Sequence, residues 1–172
     1  MLFLLKFVQK LVSALNSEGT PGQVALGIAL GSAFGLTPLL NLHNVAVLAA
    51  VALFNISFPG AMLGWVLFAP VGYLLDPVFD QVGTSLLTSV PDLVPTWTTL
   101  YNIPVVPLSK YNNTVVLGSL IGWLVLVTPI FFFARWSVRK YRERLYERFR
   151  QTKVAKAVRA SKVFNVYKVF RP

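Results

Sequence analysis

Three polar residues sit close together in an otherwise apolar stretch. They are Asn41, His43 and Asn44, just after Pro38. Amide and imidazole groups both donate and accept hydrogen bonds, so the cluster suits recognition of a polar headgroup or a small solute. Polar groups at membrane depth are costly, which points to function. The competing reading is capping, because asparagine at a helix start satisfies free backbone N–H groups. A histidine titrates near neutral pH, but a lone one serves more readily as a hydrogen-bond partner than as a proton carrier. Asp76 and Asp80, four apart, share a helix face and read as a solvated pair at an interface. The sequence shows no acid–base pair, no nucleophile–base set and no phosphate loop. There is no cysteine and only one histidine, which excludes thiolate and multi-histidine metal sites. No cofactor is expected, and the expected activity is non-enzymatic.

The elements that must hold this cluster are apolar. Hydrophobic residues make up 55 % of the 172 and charged residues 13 %, against the roughly 25 % charge of a soluble domain. No Asp, Glu, Lys or Arg occurs from Gly19 to Leu75, nor from Tyr111 to Ala134. A charge at mid-bilayer costs about 2.5–3.5 kcal/mol, so such tracts suit hydrocarbon. Up to residue 134 three lysines stand against four acids, whereas residues 135–172 carry thirteen basic residues against Glu143 and Glu147. The chain is a nearly neutral apolar body with a basic tail.

Five segments follow along the chain. Residues 1–18 read as an amphipathic helix in the membrane interface, with Lys6, Gln9 and Lys10 on its polar side. Lysines that interrupt the apolar run argue against a signal peptide. Thr20-Pro21-Gly22-Gln23 has the form of a capping box with proline at the first helical position. A helix from about Pro21 to Gly35, a break at Thr37-Pro38 and a second helix from about Leu39 to Phe54 are predicted. Each is short for a hydrocarbon layer of about 30 Å. Residues 21–54 therefore read as a re-entrant or broken helical hairpin with Pro38 near its tip, and three thin crossings before residue 76 fit the charge bias equally. A helix over 57–75, kinked or broken at Pro70, comes next. Residues 76–114 read as extracytoplasmic, with Pro77 to Val90 as an interfacial helix. A second span covers 115–134.

Lys and Arg bias places the basic tail 135–172 in the cytoplasm, so the expected setting is a bacterial inner membrane crossed more than once. Val138, Tyr141, Leu145 and Phe149 form an apolar stripe among the arginines of the tail, which reads as a membrane-surface helix. Arg135, Arg139, Lys140, Arg142, Arg144, Arg148 and Arg150 are its expected contacts with anionic headgroups. Membrane lipids are the expected partners. A protein partner or a second copy stays open, and nucleic acid is disfavoured.

Small residues set how the helices pack. Gly27, Gly31 and Gly35 recur every four residues, beside a row of Ala25, Ala29 and Ala33. Gly60/Gly64 and Gly118/Gly122 repeat the spacing, which lets backbones approach closely where lipid supplies no hydrophobic drive. Whether the packing lies within a chain or between copies stays open at this level.

The stretch 20–90 resembles a family of bacterial integral membrane proteins known as "domain of unknown function 2062". The resemblance rests on Pro21, the run Ala25-Leu26-Gly27-Ile28-Ala29-Leu30-Gly31, then Gly35-Leu36-Thr37-Pro38, Asn55 and Pro70. Asn41 and His43 stand near places where the family often has Gly and Gln, and Ala69-Pro70 replaces its frequent Asn-Pro. The resemblance implies a bacterial membrane protein and no particular activity.

The expected fold is all-α and integral to the membrane, with the hairpin, two further spans and amphipathic terminal helices. Two functions are expected in competition. One is non-enzymatic transport or lipid handling through the Pro38–Asn44 break. The other is a structural or assembly subunit that holds a partner through residues 76–114 or the tail. The second draws on the lack of buried charge, since coupled transporters usually carry intramembrane ionisable groups.

Overall fold

The computed structural model describes the backbone of residues 19–151 and the side chains of residues 19–144. The amphipathic helix expected before residue 19 lies outside the described residues, as does the tail beyond 151. Among the described residues the chain is helical throughout, with no strand. The helices are α1 (Pro21–Leu36), α2 (Leu42–Leu53), α3 (Phe58–Thr88), α4 (Val94–Tyr101) and α5 (Thr114–Gln151), with short 3-10 turns at Pro91–Leu93 and Val106–Ser109.

Helix α1 begins at the capping box. The Gln23 amide donates to Thr20 Oγ1 at 3.2 Å, and the Thr20 amide donates to Gln23 Oε1 at 2.7 Å. Two of the orphan N–H groups at the helix start are thereby satisfied. Helix α2 starts three residues later than its hydropathy suggests, because Leu39, Leu40 and Asn41 form the turn instead. There the Asn41 amide donates to Leu39 O at 3.0 Å.

Helix α3 neither breaks at Pro70 nor stops near residue 75. It runs through Pro70 and Pro77 to Thr88. Each internal proline removes one ladder hydrogen bond and strains the turn before it. Packing along the helix offsets this, because Gly60, Gly64 and Gly72 lie on α1 and Phe79 and Gly83 on α5. The first part of the segment 76–114 is therefore a continuation of α3. Helix α5 likewise passes from apolar to basic sequence without a break, through Pro129 to Gln151. Ala134 and Val138, which straddle the first arginine, are buried with Val24, Ala25, Ile28 and Leu63.

The pairing of residues gives the directions. Gly60, Gly64 and Gly72 meet the backbone of Val24, Ile28 and Gly35–Leu36 in turn, so α1 and α3 run parallel. Val24 packs near Val138, while Leu36 packs near Trp123, so α5 runs antiparallel to both. Helix α2 is the return stroke between α1 and α3. It buries only Asn44, Val47 and Val51, and Val47 joins Ala33, Leu36, Phe79 and Trp123 in the core. The return closes where the Ser57 amide donates to Gln23 O at 3.3 Å.

Among the described residues two helices, α3 and α5, are long and apolar enough to cross a membrane. Their most apolar stretches are only 28 % buried. The outward side chains include Val66, Leu67, Tyr73, Leu74, Leu124, Val125, Phe132 and Phe133. A solvent-exposed apolar surface of this extent is foreign to a monomer in water.

Candidate functional site

The break between α1 and α2 is built around Thr37, which sequence reasoning treated only as a helix breaker. Its hydroxyl donates back to Ala33 O at 2.9 Å, one helical turn earlier. That uses its one proton, so its lone pairs accept. The Asn44 amide nitrogen Nδ2 donates to Thr37 Oγ1 at 3.0 Å, and His43 Nε2 lies 2.8 Å from the same oxygen. With the Thr37 proton committed to Ala33, His43 carries its hydrogen on Nε2 and donates. A Thr followed by Pro, with His and Asn six and seven residues on, is the pattern that could have revealed this hub.

The same side chains hold the irregular backbone. Asn44 Nδ2 also lies 2.9 Å from Pro38 O and 3.3 Å from Leu39 O. Asn41 Nδ2 donates to Pro38 O at 2.6 Å. Carbonyls that leave a helix in apolar surroundings need such donors. Asn41 stands at the N-cap position of α2, yet its side chain makes no cap bond. The capping reading of Asn41 thus gives way to a different role, in which its amide faces back to the turn rather than forward to the helix.

Two acceptors are left over. His43 Nδ1 and Asn44 Oδ1 are buried and have no hydrogen-bond partner. Asn44 is 97 % buried, at 3 % exposure. Each donor atom of the cluster named above has a partner, and the buried groups left without one are acceptors, so what the cluster offers chemically is lone pairs. A ligand suited to it brings N–H or O–H groups. Pro38 itself lies exposed, as do Leu39 and Leu40, the latter at 85 %. The Val106–Ser109 turn touches α2. The segment that carries this turn is pinned by Trp97, whose Nε1 donates to Leu86 O at 3.1 Å while Tyr111 Oη donates to Trp97 O at 2.7 Å.

The glycine rows position this break. A Cβ on Gly27, Gly31 or Gly35 would come closer than 3.0 Å to α3 backbone around Ser57, Ala61 and Phe68–Ala69. On Gly60 and Gly64 it would meet Val24 and Ile28 of α1, on Gly118 the backbone of Phe79, and on Gly122 the Phe79 ring. All these contacts lie within one chain. Gly72 and Gly83 do the same against Gly35 and Thr114 and were not singled out in the sequence. Trp123 Nε1 donates to Ala29 O at 3.3 Å, tying α5 to the middle of α1.

The basic residues lie at the opposite end. Arg135, Arg139, Lys140 and Arg144 are exposed. Lys140 Nζ stands 4.7 Å above the Trp136 ring. Arg142 donates from Nη1 to Gly19 O at 2.7 Å, so it fastens α5 to the start of α1. The side chains of Arg148 and Arg150 lie outside the described residues.

Comparison with known proteins gives a consistent family. A model described as "Uncharacterized protein conserved in bacteria (DUF2062)" matches residues 5–147, beyond both ends of the 20–90 resemblance. An "Uncharacterized protein" of Treponema pallidum (strain Nichols) is 29 % identical over 149 residues, covering 87 % of this chain and 91 % of that protein. No solved structure matches. With most of its length under the family model, the chain belongs to DUF2062, a family of uncharacterised proteins conserved in bacteria.

Proposed function

We propose that this is a non-enzymatic protein of the bacterial inner membrane in which α1 and α2 form a re-entrant hairpin. Its polar tip would receive the hydrogen-bond donors of a lipid headgroup or small solute during transport or lipid handling. The observation that carries the reading is the pair of buried, unpartnered acceptors, His43 Nδ1 and Asn44 Oδ1, at a tip whose donor atoms are engaged within the tip itself, on Thr37 Oγ1 and on its backbone carbonyls. Unpaired buried acceptors cost about 1–3 kcal/mol each, which a donor-bearing ligand would relieve.

The depth of the tip supports re-entry. The hairpin closes at its base through Ser57 and Gln23, so both ends share a level. Its far end, Leu36, packs with Trp123. At about 1.5 Å per residue, Trp123 lies about 18 Å from Arg135 and about 13 Å from Thr114 along α5. Within a hydrocarbon layer of about 30 Å, the tip then falls inside the layer. Irregular polar backbone at such depth requires cover by protein or a wet cavity, which the Thr37–Asn44 network and the neighbouring Val106–Ser109 turn supply. The basic end of α5 would face the cytoplasm.

His43 is the sole histidine of the chain, so its ring nitrogens report on the site without ambiguity. The test is nitrogen NMR of the full chain in nanodiscs. On exchange of phosphatidylcholine, whose headgroup has no N–H, for phosphatidylethanolamine, the Nδ1 resonance should move toward the hydrogen-bonded range. The move should be absent in Asn44→Leu. An Nδ1 resonance insensitive to headgroup donors and to small polar solutes rejects the site and leaves the assembly-subunit reading.

A further inference from the structure

An apolar groove of about 500 Å³ runs along the seam of α3 and α5. Its walls include Leu67 and Val71 of α3 and Leu126, Ile130, Phe133 and Ser137 of α5. Val71 is 40 % and Phe133 68 % exposed, so the groove opens sideways rather than into the protein. Ser137 is the one polar side chain of its lining, and it stands at the basic end. Continuing the face of Phe133 and Ser137 by three- and four-residue steps leads to Lys140 and then Arg144, both exposed. The slot is thus greasy along its length and cationic at one mouth.

We propose that this groove holds one acyl chain of a bilayer phospholipid with an anionic headgroup, whose phosphate is met by Lys140 and Arg144. Charge selects this occupant over others. From Arg135 to Arg144 five basic groups face the lone carboxylate Glu143, so this mouth attracts phosphate and repels a second copy of the same basic helix. The same charge repels Lys6 and Lys10 of the amino-terminal segment. Trp136, beneath Lys140, suits the headgroup level, where amphipathic rings gather. An unbranched chain can follow the slot from Ser137 to Leu126, about 16 Å along the helix. The proposal rests on α3 and α5 lying in a bilayer and not on the polar tip.

The test is native mass spectrometry of the full chain released from nanodiscs of equal phosphatidylglycerol and phosphatidylethanolamine. Wild type should retain one phosphatidylglycerol in preference to phosphatidylethanolamine. Lys140→Gln with Arg144→Gln, at exposed positions, should lower that preference roughly tenfold or more, as two basic groups at a bilayer surface predict. Arg139→Gln, which meets headgroups on the opposite face of α5 and not at the groove, should lower it far less than the double variant does. Val71→Trp, which fills the slot, should lose retained lipid of both kinds. Equal loss of preference in Arg139→Gln and in the double variant would overturn the proposal in favour of diffuse surface charge. So would unchanged retention in Val71→Trp, a dimer broken by that variant, or lipid retained only after deletion of residues 1–18. A chain that never enters nanodiscs would instead reject the membrane reading beneath it.

Discussion

Thr37 is the residue on which the break between α1 and α2 turns. One hydroxyl ties back to α1 and accepts from two side chains of α2. Thr37→Val keeps the shape and removes the oxygen, leaving His43 Nε2 and Asn44 Nδ2 without that acceptor. The expected loss is about 1–3 kcal/mol, read as a lower thermal midpoint in mild detergent, with Thr37→Ser restoring most of it. An equal midpoint for the valine variant would mean that the cluster is not stabilised through this oxygen. The sequence made Asn41, His43 and Asn44 conspicuous because polar side chains stand out in an apolar run. It hid Thr37, because a threonine before a proline reads as the end of a helix. It also suggested a cap for Asn41, since only the fold shows that its amide turns back to Pro38 O.

At the scale of elements, the packing of α1 on α3 predicts a sharp contrast between glycines. At Gly31 an added methyl meets the Ala61 backbone, which cannot move aside cheaply, whereas at Gly22 its nearest neighbour is Thr20 Oγ1 at 3.7 Å. Gly31→Ala should therefore destabilise by about 1–3 kcal/mol through overpacking. Gly22→Ala should be close to neutral. Detergent-dependent thermal unfolding of both separates backbone contact from a general preference for glycine in membrane helices. Gly118→Ala should behave like Gly31→Ala, because its methyl would meet the Phe79 backbone. The rows at 27–35, 60–64 and 118–122 were legible from spacing alone. Their partners were not, because spacing on one helix does not name the helix opposite. Gly72 escaped notice because Pro70 implied a kink or break just before it, and Gly83 because Pro77 and the first aspartates implied that the helix had ended near residue 75. The ends of α3 and α5 were misjudged for one reason: a change from apolar to polar sequence marks a change of solvent, not the end of a helix.

At the scale of the whole molecule, three helices form the body and α2 is the loosely held return stroke. Helix α1 pairs with the first half of α3, from Gly60 to Gly72, and leaves the second half to α5. This arrangement makes the hairpin shorter than the body that surrounds it and sets its polar tip part-way along α3 and α5. The tie from Arg142 to Gly19 O predicts that Arg142→Ala loosens the start of α1 without changing the tip. Hydrogen exchange should then rise at residues 20–25 and stay level at 37–47; a uniform rise would contradict a local tie.

The absence of cysteine from the chain permits a direct test of the central claim, that the hairpin enters and leaves the membrane on one face. Single cysteines at Leu40, Asn55 and Asn112, each exposed on the protein surface, are treated in sealed vesicles with a membrane-impermeant maleimide. Asn55→Cys should react only from the face that also presents the basic end of α5, Asn112→Cys only from the other, and Leu40→Cys only after detergent is added. Reaction of Leu40→Cys from the Asn112 face at the Asn112 rate, or of Asn55→Cys and Asn112→Cys from the same face, would contradict it.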